Sequence, residues 1–244
     1  MDVAVIAARI GNKILSGIAV LMIMLLFSFG GHSLWDGLMV REGTFLSRDL
    51  LKYKPESGDE ASLSQEELMA INPDTRGWIT IDDTRIDYPV LHGETDMTYI
   101  NTDIYGEFSL AGSIFLSCLN QTDFSDQYNL VYGHHVDNGG MFGDVVEFVH
   151  TDYFNTHQTG TLFLKNQIYD IELFACIEAD AYDRLIYSPG SECDIAELLA
   201  YLVADSTQYR EIGVTTEDNI VGLSTCADAQ SNDRVILFGR LNKK

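Results

Sequence analysis

Asn219-Ile220-Val221-Gly222-Leu223-Ser224-Thr225-Cys226, a polar loop from Ala227 to Asp233, then Arg234-Val235-Ile236-Leu237-Phe238 is the stretch whose reading decides the fold. Each apolar run is short and rich in branched residues, as in a buried strand. Cys226 therefore falls at a strand end, and Arg234 at the start of the next strand. A fixed cation near a thiol favours the thiolate, which is the nucleophilic form. A buried cysteine acting as a small hydrophobe explains the same residues. Taken alone, this stretch leaves both readings open.

The pattern continues upstream. Gly77 to Ile81, Ile86 to Leu91, Ser113 to Leu116, Tyr128 to Tyr132, Thr161 to Leu164 and Ile168 to Ile177 all read as strands. With the last two runs they make about eight short strands separated by turn signals, which predicts a barrel or a sandwich. Helical patches interrupt them at Met141 to Val149 and at Cys193 to Ala204. In the second, Ile195, Leu198, Leu199 and Leu202 share one face and Asp194 is a candidate cap.

The N-terminal part differs in kind. Residues 14–35 hold only His32 as an ionisable group, and about 20 apolar residues suffice for a helix to cross the hydrocarbon core. Arg9 and Lys13 precede this run, so the N-terminus is expected on the cytoplasmic side and the rest outside. A cleaved signal peptide is the rival; the long apolar region and the lack of a small-residue cleavage site favour an uncleaved anchor. Residues 36–73 are expected to form a membrane-proximal helical segment. One helix carries Leu46, Leu50, Leu51 and Tyr53 on a face. A second is capped at Ser64, with Glu67 closing a capping box, and ends at Asn72-Pro73. The remainder, 74–244, is expected to be the main β domain.

Formal net charge is −22, and only Asp2 of the 37 acidic residues precedes the apolar run. This acidity argues against nucleic acid, or an anionic membrane surface, as the main partner. The four cysteines (Cys118, Cys176, Cys193, Cys226) form no C-x-x-C pair, so neither zinc nor a thioredoxin-type motif is expected. Cys118 and Cys176 lie in strand-like runs and suit buried free thiols; no essential disulfide is expected.

A second chemical stretch is Tyr132-Gly133-His134-His135-Val136-Asp137-Asn138-Gly139-Gly140. Histidines at a strand end beside a Gly-rich turn suit proton transfer near neutral pH. A metal pair is disfavoured, because neighbours on a strand point to opposite faces and no further ligand cluster has good spacing. No metal or other cofactor is expected. His92, His150 and His157 read as surface residues.

Together these stretches resemble a sortase, specifically of class B. Leu223-Ser224-Thr225-Cys226 resembles the family's T-L-x-T-C signature, Tyr132-Gly133-His134 its histidine segment, and Asn232-Asp233-Arg234-Val235-Ile236-Leu237 its arginine segment. Gly77-Trp78-Ile79, Ile86-Asp87-Tyr88-Pro89-Val90 and Gly112-Ser113-Ile114-Phe115-Leu116 resemble the class B barrel, so the likeness runs from about Asn72 to the end. One departure is Val221-Gly222, where the signature has a Thr before the Leu.

The resemblance implies a mainly β fold: an eight-stranded sortase-type barrel with N-terminal helices packed on it, a helix inserted before the last two strands, and one transmembrane helix ahead. It implies a cysteine transpeptidase that cuts an N-P-x-T-x or x-P-x-T-G sorting signal on exported proteins and joins the product to an amine of a lipid-linked peptidoglycan precursor. By the same match Cys226 is the nucleophile, His134 the acid and base, and Arg234 the oxyanion or orienting group. Ile100, Tyr132, Ser224 and Thr225 would line the peptide groove, with Asp96 a weaker candidate; His135 gets no role. Alternatives kept open are a pilin polymerase using a pilin Lys, a hydrolase, and a membrane-tethered binding module.

Overall fold

The computed structural model describes residues 3–44, 48–55, 59–136, 139–226 and 233–244, and divides into two units, Met1–Glu42 and Gly43–Lys244. Of the loop expected from Ala227 to Asp233, residues 227–232 lie outside the described residues, as do Asp137 and Asn138 of the histidine stretch, while Asp233 already belongs to a strand.

Helix α1 (Val3–Thr44) fills the first unit. Its Arg9–Trp35 portion is long and apolar enough to cross a membrane. At 1.5 Å per residue even the expected 14–35 segment spans about 33 Å, against about 30 Å of hydrocarbon. Residues 11–29 are all exposed, so no protein layer takes up their apolar surface. The helix does not stop near Trp35, since no proline interrupts it before Thr44.

The helices expected over residues 36–73 depart from expectation. Helix α2 is a single turn, Arg48–Leu51, ended ahead of Pro55. Helix α3 runs Asp59–Ile71 and begins before Ser64, which lies inside it and does not cap it. Its end is as expected. The Asn72 side-chain amide donates to the Ile104 carbonyl (3.0 Å), and its Oδ1 accepts from the Asp74 N–H (2.9 Å).

The barrel follows. Its strands are β1 (Thr75–Ile81), β2 (Asp87–Leu91), β3 (Ile114–Leu116) and β4 (Tyr128–Tyr132). A hairpin of β5 (His135–Val136) and β6 (Gly140–Met141) leads to a 3₁₀ helix at Gly143–Val149 and to α4 (Thr151–Thr156). Then come β7 (Thr159–Leu164), β8 (Ile168–Asp180), α5 (Ile195–Asp205), β9 (Gln208–Tyr209), β10 (Ile220–Cys226) and β11 (Asp233–Lys243). Around the barrel the order is β11-β10-β4-β3-β2-β1-β7-β8, and β8 closes it by pairing with β11. The extra strand, β9, joins β8 outside this ring. Two neighbours are parallel, β2–β3 and β10–β4; the rest are antiparallel.

Every one of the eight strand-like runs forms a barrel strand. The ends of β8 and β11 reach well past their apolar stretches because the two pair from Asp233↔Asp180 to Lys243↔Tyr169, with one register shift between Phe238 and Gly239. Backbone hydrogen bonding, not burial, sets their length there. The two-residue strands and α4 carry too few residues for any period to show.

Three cores hold the fold. The barrel interior is filled from Ile79, Val131, Phe142, Leu223, Leu237 and their neighbours. Helix α5 closes a second layer with Ile195, Leu198 and Leu202 on Phe174, Ile236 and Phe238, with Leu199 half-buried at its edge. Its start is the expected one: the Asp194 carboxylate accepts from the Glu197 N–H at 3.0 Å. A third layer packs Leu50 and Leu68 of α2 and α3 on Trp78, Leu91 and Phe115. The Trp78 indole donates to Asp87 at 2.7 Å, and Lys54 reaches the same carboxylate at 2.6 Å, tying the helical segment to β1 and β2. Tyr132 packs on both outer layers, so the end of β4 lies at the seam between them.

Cys176 is buried in β8, as expected, but Cys118 lies in the turn after β3 and is half-buried; with Cys193 these are free thiols. His150 is exposed, whereas His92 is half-buried and His157 stacks on Tyr153 with ring centroids 3.8 Å apart.

Candidate active site

β10 is the strand that assembles the site. On one side it runs parallel to β4, with Ser224 beside Tyr132. On the other it is antiparallel to β11, with Cys226 directly opposite Arg234. Residues facing each other in an antiparallel ladder have Cα atoms about 4.5–5.5 Å apart. Eight positions of sequence thus become one cross-strand pair. The structure describes Cys226 by its backbone, and its side chain lies outside the described residues. Beyond Tyr132 the chain stays fastened to β10, the Gly133 N–H donating to the Ser224 carbonyl at 3.1 Å, and delivers His134 next.

These strand ends open on a groove of about 420 Å³. His134, Arg234, Ile100, Tyr132, Ser224, Thr225 and Asp96 all line it. The segments that supply them are far apart in sequence, and no single local pattern predicts their meeting. Met97, Phe115, Ala181 and Tyr187 share the wall and were not singled out from the sequence.

The polar contacts are specific. The His134 Nε2–H donates to the Ile100 carbonyl at 2.6 Å. Arg234 donates from Nη1 to the Asp233 carbonyl at 3.1 Å. The Tyr187 hydroxyl and the Ser224 hydroxyl are hydrogen-bonded at 3.0 Å. Asp96 accepts from the Cys118 N–H at 2.7 Å. Thr225 is buried, and its hydroxyl has no hydrogen-bond partner among the described residues. One wall is aromatic: Tyr132 stacks on Tyr187 (6.3 Å, 6° between planes) and leans on Phe115 at 5.3 Å. Burial, reinforced by the Asp96 charge, pushes the Tyr132 hydroxyl well above its ordinary pKa, so it remains a neutral donor.

The two adjacent histidines part company. His135 belongs to β5 and lines a different cavity, with Asp83, Asp144, Glu147 and Tyr153. At the departure from the signature, Gly222 faces Tyr128: a Cβ there would lie 3.0 Å from the tyrosine oxygen and 3.3 Å from the Phe238 ring. The Tyr128 ring occupies the space a threonine would need.

No family model matches the chain. Sortase B of Listeria monocytogenes is 30% identical over 181 residues, which cover 73% of this chain and 74% of that protein. The chain belongs to the class B sortases. A Streptococcus pyogenes class B sortase involved in pilus biogenesis superposes with a TM-score of 0.67 at 39% identity, covering 72% of this chain and 97% of that one. The Staphylococcus aureus sortase B–substrate complex superposes with a TM-score of 0.69 at 28% identity, over 75% and 86%. The closed barrel with its extra strand is therefore the sortase fold, and the family is one of cysteine transpeptidases. Of the wall residues missed in sequence, Tyr187 had the faintest signal: it sits between β8 and α5 in Arg184-Leu185-Ile186-Tyr187, where no period or motif marks it.

Proposed function

We propose that this class B sortase cleaves a C-terminal sorting signal of the N-P-x-T-x or x-P-x-T-G type on exported proteins and transfers the acyl product to an amine of a lipid-linked peptidoglycan precursor. The observation that carries the reading is the meeting of His134, Arg234 and the Cys226 strand end at one groove. The Cys226 thiolate attacks the carbonyl carbon of the signal's Thr, forming the C–S bond. As the C–N bond breaks, the leaving amine takes a proton from the His134 imidazolium. The acceptor amine then attacks the thioester, gives a proton to His134, and releases the thiolate. Arg234 keeps its charge at every relevant pH, so it acts as a donor to the oxyanion and never as the base. Ile100, Tyr132, Ser224 and Thr225 bind the peptide; the Thr225 hydroxyl, without a partner among the described residues, is a polar group left for it.

In this reading residues 1–13 are cytoplasmic, 14–35 anchor the chain, 36–73 are membrane-proximal and 74–244 are the catalytic domain on the wall side. The helix through Arg9–Trp35 supports it, as does the placing of Arg9 and Lys13 before the apolar run.

A second acceptor has a specific observation behind it. The pilus-associated S. pyogenes sortase is 39% identical, against 30% for the Listeria and 28% for the S. aureus protein. That favours a pilin Lys as the incoming amine. The test is a competition: full-length enzyme in detergent micelles, a fluorescent signal peptide, and wall-peptide and Lys-bearing pilin acceptors together. Conjugation to the wall peptide supports the first reading and conjugation to Lys the second. Free acid alone at saturating amine would leave a hydrolase, and unchanged cleavage by Cys226→Ala would remove the thiol mechanism.

A further inference from the structure

We propose that the main-chain carbonyl of Ile100 is the positioning group of His134: it holds the ring protonated at Nε2 and so makes Nδ1 the atom that gives and takes the proton. This rests on His134 being the acid and base, and adds which nitrogen does the work and what fixes it.

The argument starts from hydrogen-bond inventory. A carbonyl oxygen can only accept, so a ring nitrogen 2.6 Å from it carries hydrogen in both the neutral and the charged ring. In the neutral ring the lone pair is then on Nδ1, which has no hydrogen-bond partner among the described residues. In the imidazolium, Nδ1–H is the proton free to leave. Each half-reaction balances on that atom. Nδ1–H protonates the departing amine, leaving a neutral Nε2–H ring, and the Nδ1 lone pair later takes one proton from the incoming amine. Throughout, Nε2–H stays on Ile100. A neutral carbonyl does this without placing a second negative charge beside a thiolate.

The carbonyl is built in. The Tyr99 carbonyl, one residue before, accepts from the Ser113 N–H at 3.0 Å, and the Ser113 hydroxyl donates to the Thr102 carbonyl at 2.7 Å. Between them sits Gly112 with φ +58°, a left-handed conformation that favours glycine. A Cβ at Gly112 would fall inside contact distance of the Ile100 carbonyl oxygen. The histidine is held from its other end as well: its own carbonyl accepts from the Phe142 N–H at 3.0 Å. Gly112 is thus a positioning residue, acting on His134 through Ile100.

The test weakens one acceptor and leaves every side chain in place. Stop-codon suppression with the α-hydroxy analogue of asparagine at position 101 turns the 100–101 amide into an ester, whose carbonyl is a poorer acceptor. The lost Asn101 N–H makes no hydrogen bond among the described residues. Full-length protein in micelles, labelled with ¹⁵N at its six histidines, reports the His134 tautomer, the assignment coming from His134→Ala. Expected is an Nε2–H resonance that moves to lower frequency in the ester, with kcat down about fivefold and KM unchanged. Gly112→Ala should move both readouts the same way and further, with its melting temperature checking the fold. An Nε2–H resonance that does not move in the ester overturns the proposal, as does a wild-type ring protonated on Nδ1 alone, or a moved resonance with unchanged kcat. Failure of the underlying reading looks different: His134→Ala would keep its activity while the ester still shifted the resonance.

Discussion

Cys176 and Cys226 lie on strands that flank the same third strand, one in mid-strand and the other at a strand end. Cys176 sits mid-strand in β8, opposite Leu237 of β11, and has no exposed surface. Burial pushes its thiol far above the ordinary range. Cys226 ends β10, opposite Arg234 of the same β11. Strand position separates them: the middle of β8 is walled in by neighbours, while the end of β10 stands in register with Arg234, which lines the groove. The comparison breaks most sharply on substitution. Cys226→Ala should lower kcat by about four orders of magnitude or more, since no other group can form the thioester. Cys176→Ala should leave peptide turnover unchanged and lower only the melting temperature. Iodoacetamide at pH 8 should mark Cys226 ahead of Cys193, whose thiol burial raises to about 11, and ahead of Cys176. Peptide mapping that finds Cys193 or Cys176 modified first would reverse the assignment of the reactive thiol.

The same contrast recurs between adjacent residues. His134 enters the groove and is tethered to Ile100; His135, one residue on, is in β5 and faces another cavity. His134→Ala should cost about 10²- to 10⁴-fold in kcat, the ordinary range for a general acid and base. His135→Ala should be mild. The reverse order in peptide-cleavage assays would mean the wrong histidine has been chosen.

Arg234 tests whether the cross-strand pair needs a fork or only a charge. Lysine keeps the charge but loses the planar pair of donors. Arg234→Lys should lower kcat about 10- to 100-fold, below the cost of losing the nucleophile and at or below the roughly 10²- to 10³-fold cost of removing an oxyanion donor outright. Near-normal turnover would show that a point charge opposite Cys226 suffices.

How much of this was legible depended on where each residue sits. Strands announce themselves by apolar runs, so all eight barrel strands and the face of α5 could be read directly. Residues at strand ends with a distinctive chemistry, His134, Cys226 and Arg234, were legible through their motif contexts. Pairing was not: nothing in the order of residues says that Cys226 stands opposite Arg234, because register is settled by the whole ladder. One helix start misled: α3 begins at Asp59, five residues before the capping signal at Ser64. The aromatic wall was invisible, since Phe115 and Tyr187 meet Tyr132 only through tertiary packing.

Tyr187 gives the smallest and most discriminating prediction. Its ring stacks on Tyr132, and its hydroxyl bonds Ser224, two residues before Cys226 and beside Tyr132 in the sheet. Tyr187→Phe preserves the stack and removes only the hydroxyl, leaving the buried Ser224 hydroxyl without that partner. One such bond is worth about 1 kcal/mol to the wall, which bounds the rise in KM for the signal peptide at about fivefold. Because Tyr187 touches the groove wall and not the reacting strand end, kcat should hold. Tyr187→Ala should raise KM further by dissolving the stack, again without moving kcat. A fall in kcat at constant KM in the phenylalanine variant would place the hydroxyl among the groups that act on the transition state. The contrast between a binding wall and a reacting strand end would then have to be redrawn on the β10 side of the groove.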